Sequence, residues 1–158
     1  MGNEMGTIVD VLNNWYTRVD AAQKAHYSSS NTYRSFSFLL GVPTVILSLF
    51  VGTSVFASLQ TKPSVTLQAI VGSCSVLAAV LAGLQTFFGF AERSERHRLA
   101  AAKYGAIGRE LEILRSSSGS IDQKTIDRLR EKIDSLGLES PVNADRIYKK
   151  ALTSSTKP

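Results

Sequence analysis

The chain has one cysteine, two histidines and, over two long stretches, no charged side chain. With Cys74 alone no intrachain disulfide framework can form, and its place inside the second apolar stretch reads as that of a small packing residue. His26 and His97 lack acidic or thiol companions, so they are too few to make a zinc site. A glycine-rich phosphate loop, a nucleophile elbow, paired cysteines and an acid pair in an apolar setting are all missing. The residues therefore point to no enzyme, no metal and no cofactor. Strand signals and internal repeats are missing as well.

Asp, Glu, Lys and Arg are absent from residues 35–61 and again from 63–91, and only Lys62 stands between the two runs. A helix needs roughly 20 residues to cross a hydrocarbon core of about 30 Å, and each run is longer than that. A buried core helix normally keeps a polar stripe for solvent, whereas the segment from Phe36 to Gly52 has no charge on any face. The reading is a membrane hairpin. A cleavable signal peptide is not expected, because a polar, charged segment precedes the first run. Gly6 stands where a myristoylation signal expects Ser or Thr.

The mean hydropathy near zero hides this division into two apolar middle segments and two charge-rich ends. At 158 residues, with its centre in lipid, the chain leaves polar ends that alone build only a small core. Self-association or a partner is expected. Arg18, Lys24 and Arg34 precede the first run; Arg93, Arg96, Arg98, Lys103, Arg109 and Arg115 follow the second; the turn carries only Lys62. The excess of Lys and Arg places both termini in the cytoplasm and the turn outside, in a cell (inner) membrane. The net charge of +5 then reflects topology and contact with anionic lipid, and no nucleic acid is expected.

Ile8, Leu12, Trp15, Val19, Ala22, His26, Ser29, Tyr33 and Phe36 recur at alternating spacings of four and three, which is one helical face running into the first span. Phe90, His97, Ala100, Tyr104, Ile107, Leu111 and Leu114 keep the same rhythm after the second, with Arg93 as the one charged member. These two seams should pack on each other, the second span continuing as one long helix to about Arg115 with Glu92 and Arg96 paired at i,i+4. A serine-rich loop follows. Ser120 and Gln123 form a capping box for a helix faced by Ile126, Leu129, Ile133 and Leu136 and ending at Gly137, and Asn143 caps a last short helix.

The fold class is thus an all-α membrane protein, a two-span hairpin with cytoplasmic helical extensions at both ends. A single domain, 1–152, comprises an amphipathic helix at 8–34, spans at 36–59 and 65–91, a cytoplasmic continuation at 92–115 and helices at 121–136 and 144–152. Residues 153–158 are a frayed tail.

Gln68, Gly72, Ser75, Ala79, Ala82, Thr86 and Gly89 form a small and polar stripe on the second span, with Gln85 beside it. Small residues let a neighbouring backbone approach, and polar ones bond across helices where lipid offers no substitute. The stripe is either the seam between the spans, helped by Gly41, Thr44, Ser48 and Gly52, or the lumen face of an oligomeric pore. Gln85 either bonds across a helix interface or faces water. With no charged ring in either span, little ion selectivity is expected beyond Arg93 and Arg96 at the cytoplasmic mouth. His26 and His97, on the seams near the membrane, are candidates for a switch or for hydrogen-bonded packing. Trp15 and Tyr33 read as core and interfacial aromatics.

A family resemblance rests on several of these residues. Trp15, Tyr16, His26 and Tyr27 precede the first span, which carries Gly41, Val42 and Pro43 and then Val51, Gly52 and Thr53. Gly83, Leu84, Gln85, Thr86, Phe87 and Phe88 close the second span, and Glu92, Arg93, His97, Arg98, Tyr104, Arg109, Glu110, Leu111 and Glu112 follow. In this order around a hairpin, over residues 8–141, the chain resembles the SLATT family, small two-span membrane proteins encoded beside SMODS nucleotidyltransferases and SLOG sensors in prokaryotic conflict systems. The resemblance implies a homo-oligomeric effector of anti-phage defence that opens a pore in the inner membrane when a sensor or nucleotide signal is triggered. With no fused sensor domain expected, that trigger arrives in trans or binds the cytoplasmic helices. A phage-type holin and a non-conducting adaptor that recruits a cytoplasmic partner remain alternatives, which neighbouring genes would separate.

Overall fold

The computed structural model describes residues 2–58, 63–117 and 121–155, with side chains from residue 8 onward. Five helices account for nearly all of them: α1 (Gly2–Ser58), α2 (Val65–Phe88), α3 (Phe90–Ser116), α4 (Gln123–Glu139) and α5 (Asp145–Ser155). Among the described residues there is no strand. The turn at Lys62 and the capping residue Ser120 lie outside the described residues, as do residues 156–158.

The chain divides into two compact units. One comprises Met1–Asn31 with Ser94–Pro158, the other Thr32–Arg93. In the first, the heptad-like faces of α1 and α3 supply the core: Leu12, Val19, Ala22, Tyr104, Ile107 and Leu111 are buried, with Ile8, Trp15 and Leu114 packed against them. Leu129 and Leu136 of α4 complete this cluster, and Ile133 joins its margin. Contacts between α1 and α3 run in reverse order along the two helices, from Tyr16 with Glu112 to Ser30 with Ser94. The Tyr16 hydroxyl donates to Glu112 Oε1 at 2.8 Å, which holds the phenol above its ordinary pKa, while the Arg115 guanidinium lies 4.6 Å from the ring centre. A second cluster joins Ala21 and Ala25 of α1 to Ala151 of α5.

In the second unit, α1 runs through Pro43 without ending. Proline removes one backbone donor and leaves the carbonyl four residues back without its usual partner. Beside that gap, Thr44 Oγ1 donates to the Leu40 carbonyl at 2.7 Å. Thr53 and Ser73 bond back in the same way to Leu49 and Ala69, so these hydroxyls are satisfied inside their own helices.

Four expectations are corrected. The second apolar segment does not continue as one helix: α2 stops at Phe88, and Gly89 takes the left-handed conformation, φ 56° and ψ 39°, before α3 begins. Glycine tolerates that region because it has no Cβ to meet the carbonyl. α4 starts after Asp122, which is its N-cap by position, and runs through Gly137 to Glu139, where Ser140 closes it by donating its N–H to the Leu136 carbonyl. The last helix spans Asp145–Ser155, longer than 144–152, so residues 153–155 are helical rather than frayed. Asn143 is not its cap; the Ala144 carbonyl takes the first turn's bonds, and the Asn143 side chain is used elsewhere.

Candidate functional site

Two places carry the residues singled out by sequence, one in each unit. In the first, α1 turns His26 inward on the face that also carries Val19 and Ala22, and α3 turns in His97 with Tyr104. Small residues permit this approach: Ala21, Ala25 and Ala101 are fully buried, and a Cβ added at Gly105 would come within 2.8 Å of Gln23 Nε2. The two imidazoles, 71 residues apart, meet with their Nδ1 atoms 2.9 Å apart and ring centres at 5.1 Å. His26 is 3% exposed and His97 4%. Tyr104 stacks on His26 with ring centres 5.4 Å apart and planes inclined by 18°.

Polar pairs extend the contact. Ser94 Oγ donates to the Ser30 carbonyl at 2.9 Å and lies 3.2 Å from Ser30 Oγ. Ser29 Oγ donates to Asn143 Oδ1 at 2.9 Å, tying the segment between α4 and α5 to α1. Burial lowers the pKa of both histidines; for His26, burial first and the neighbouring His97 second bring it to about 4. The pair at neutral pH is therefore uncharged, one Nδ1–H donating to the other ring's lone pair.

In the second unit, residues that face the neighbouring helix are Val71, Cys74, Ala78, Leu81 and Gln85 on α2 and Ser37, Gly41, Thr44, Leu47, Val51 and Ser54 on α1, all buried or half-buried. Gln85 lies over Gly41 so closely that a Cβ there would meet its Nε2 at 3.3 Å. Of the small and polar stripe, for which both a seam and a lumen face were open, Gln68, Gly72, Ser75, Ala79, Ala82 and Thr86 are exposed, and Gln85 and Gly89 are half-buried. Cβ atoms added at Gly72 and Gly52 would meet nothing within 4 Å, and Ser48 is exposed. Thr44 and Gly41 do lie on the seam. The physical reason is register. Ala78 and Cys74 sit about one residue, some 100°, around the helix from Ala79 and Ser75.

Near the ends of α1 and α2, Gln68, Gly72 and Ser75 border a groove of about 410 Å³ whose other wall is Val51, Ser54, Val55 and Ser58. Close to Gly89 the rings of Phe36, Phe88 and Phe90 stack, with centres 5.5 and 5.2 Å from Phe90, and Tyr33 stands 6.3 Å from the same ring. A smaller cleft of about 140 Å³ in the first unit, lined by Trp15, Arg18, Tyr104, Arg130 and Asp134 among others, is well below the several hundred Å³ of ordinary ligand pockets.

Sequence placed both histidines on inward faces but did not pair them, and it missed the Ser30–Ser94 and Ser29–Asn143 bonds. The only signal for the histidine pair was that both belonged to seams expected to meet. Among the described residues no group of three or more His, Cys, Asp or Glu side chains is disposed to hold a metal ion. Comparison with family models, with curated proteins and with solved structures finds no match for the chain.

Proposed function

We propose that α2 and the apolar part of α1 cross a cell membrane as a hairpin, and that copies of the chain associate there to form a gated pore of the SLATT-effector type. The observation that carries this reading is where the apolar surface lies. In the most apolar 18-residue window of each long helix, 0% and 6% of residues are buried within the chain. Phe56 is 74% exposed and Phe87 81%. A soluble core helix would bury these side chains, whereas lipid accepts them without cost. Thr44, Thr53 and Ser73 bond back to their own helices, as hydroxyls in hydrocarbon must.

Association is supported by the stripe. Gln68, Ser75 and Thr86 are exposed on a stripe that also bears Gly72, Ala79 and Ala82, where small side chains let another helix or a water column approach. Polar groups on such a face favour a second copy or a lumen over bare lipid. The order of motifs that resembles the SLATT family supports the effector role and a cytoplasmic trigger, with both termini inside by the distribution of Lys and Arg.

The test is reconstitution into dye-loaded liposomes, with membrane potential read in cells that express the protein. Dye release and depolarisation that rise with protein density or with a cognate trigger are expected. Assembled oligomer that never releases dye or depolarises cells, with its activator present, contradicts the pore and leaves the adaptor as the better account.

A further inference from the structure

We propose that the buried contact between His26 and His97 is a proton-operated latch that holds α1 to α3 at neutral pH and releases them when both rings become charged. The latch belongs to the unit formed by Met1–Asn31 and Ser94–Pro158. It goes beyond the pore reading and stands whether or not the spans conduct.

The geometry makes the contact sensitive to the number of protons it holds. With the Nδ1 atoms 2.9 Å apart, one imidazole donates and the other accepts. A first added proton leaves the hydrogen bond intact if it settles on the far nitrogen of the donor ring, at the expense of placing a charge where the side chains are 3% and 4% exposed. A second proton must go to the accepting Nδ1. Two N–H groups then face each other on two cations, and the contact can only open.

Charged groups on the two helices that carry the rings are engaged with one another. Tyr104 of α3 lies flat on His26, and α3 also carries the Glu95–Arg98 pair, whose carboxylate is already engaged at 2.6 Å. α1 carries Asp20 and Lys24, paired with each other at 2.6 Å. α5 approaches through Ile147, Tyr148, Ala151 and Leu152, and the segment before it through the neutral Asn143. Of these titratable groups His97 is the one that acts on His26, and burial is the first cause that lowers both rings.

Linkage gives the sign. The closed pair binds protons less readily than an exposed histidine, whose pKa is 6.5, and the pKa of His26 falls to about 4. The closed arrangement is therefore fully stable above pH 6.5 and loses stability as the pH falls from there toward about 4. Opening takes up as many as two protons, so the open-to-closed ratio rises by up to about 100-fold per pH unit within that window.

The chain is well suited to a direct test, because it has two histidines and one tryptophan, Trp15, which packs against the core of this unit. In full-length protein held in nanodiscs, the Cε1 signals of the two rings are followed by NMR and Trp15 emission by fluorescence, from pH 7.5 downward. The expected result is that both rings titrate together below 6.5, in a transition steeper than one proton, with a red shift of Trp15 over the same range. Either ring titrating alone at or above 6.5, or Trp15 emission flat across that range, overturns the latch. The H26Q/H97Q variant replaces the pair with amides that can bond to each other but cannot charge, and should lose the red shift. A red shift that persists unchanged in it belongs to carboxylates such as Glu112 and also overturns the latch. Should that variant fail to fold, the ring titration of the natural chain decides alone.

Discussion

Single residues set the character of each unit. His26 and His97 occupy positions where an apolar residue would pack at no electrostatic risk, and Gln85 lies half-buried on the seam between α1 and α2. Gln85 and Thr86 are adjacent but face differently: Gln85 covers Gly41, while Thr86 is exposed on the stripe. Leucine at each position should therefore have different effects. Thr86→Leu should reduce conductance by roughly tenfold or more in liposome flux if that face lines a lumen, because it replaces a hydroxyl with an apolar constriction. Gln85→Leu should act mainly on the packing against Gly41 and change flux less. Equal, unchanged flux in both would remove the stripe from the lumen. Gly89→Ala should lower thermal stability by about 1–2 kcal/mol, because alanine in the left-handed region brings its Cβ against the carbonyl. Melting in detergent followed by circular dichroism measures it.

At the scale of elements, the sequence was informative wherever periodicity alone decides. The inward faces of α1 and α3 could be read from the spacing of Leu12, Trp15, Val19 and His26 and of His97, Tyr104, Ile107 and Leu111. These faces were long and strictly periodic, and the seams meet as read. The helix ends were less legible. The break at Gly89 escaped because a glycine inside an apolar helical pattern is usually tolerated, and only backbone geometry reveals the left-handed turn. Asn143 satisfied a capping pattern, yet its carboxamide accepts from Ser29, a tertiary bond that local sequence cannot announce. The stripe on α2 was a true periodic feature, but its spacing left open whether it faced the neighbouring span or a lumen. A rotation of one residue exchanges the seam for the outer face, and on a helix with no charges nothing in the sequence marks which of the two is inward. The core of the first unit should be sensitive to truncation. Leu111, 0% exposed, should lose about 2–5 kcal/mol on Leu111→Ala, whereas Leu138, 90% exposed, should change by less than about 0.5 kcal/mol on Leu138→Ala. Denaturant titrations of the two variants compare them directly.

For the whole molecule, the deciding fact is an imbalance between the two units. Residues Met1–Asn31 with Ser94–Pro158 form a core with buried leucines, ion pairs at the surface and hydrogen-bonded polar groups, as a water-exposed helical unit does. Thr32–Arg93 has the reverse pattern, with its large apolar side chains outward and few polar groups within. A bilayer resolves that reversal without requiring any partner, and an oligomer within it would cover the polar stripe. The pore, the trigger and the SLATT-type role all depend on this first step. It is tested most directly by topology. In a Cys74→Ser background, a cysteine is placed either at Ser64, beside the start of α2, or at Val142, in the segment between α4 and α5. Intact cells are then treated with a membrane-impermeant maleimide. The account predicts that the Ser64→Cys protein is labelled from outside and the Val142→Cys protein only after the membrane is opened. Equal labelling of both, or recovery of the protein in the soluble fraction, would contradict it.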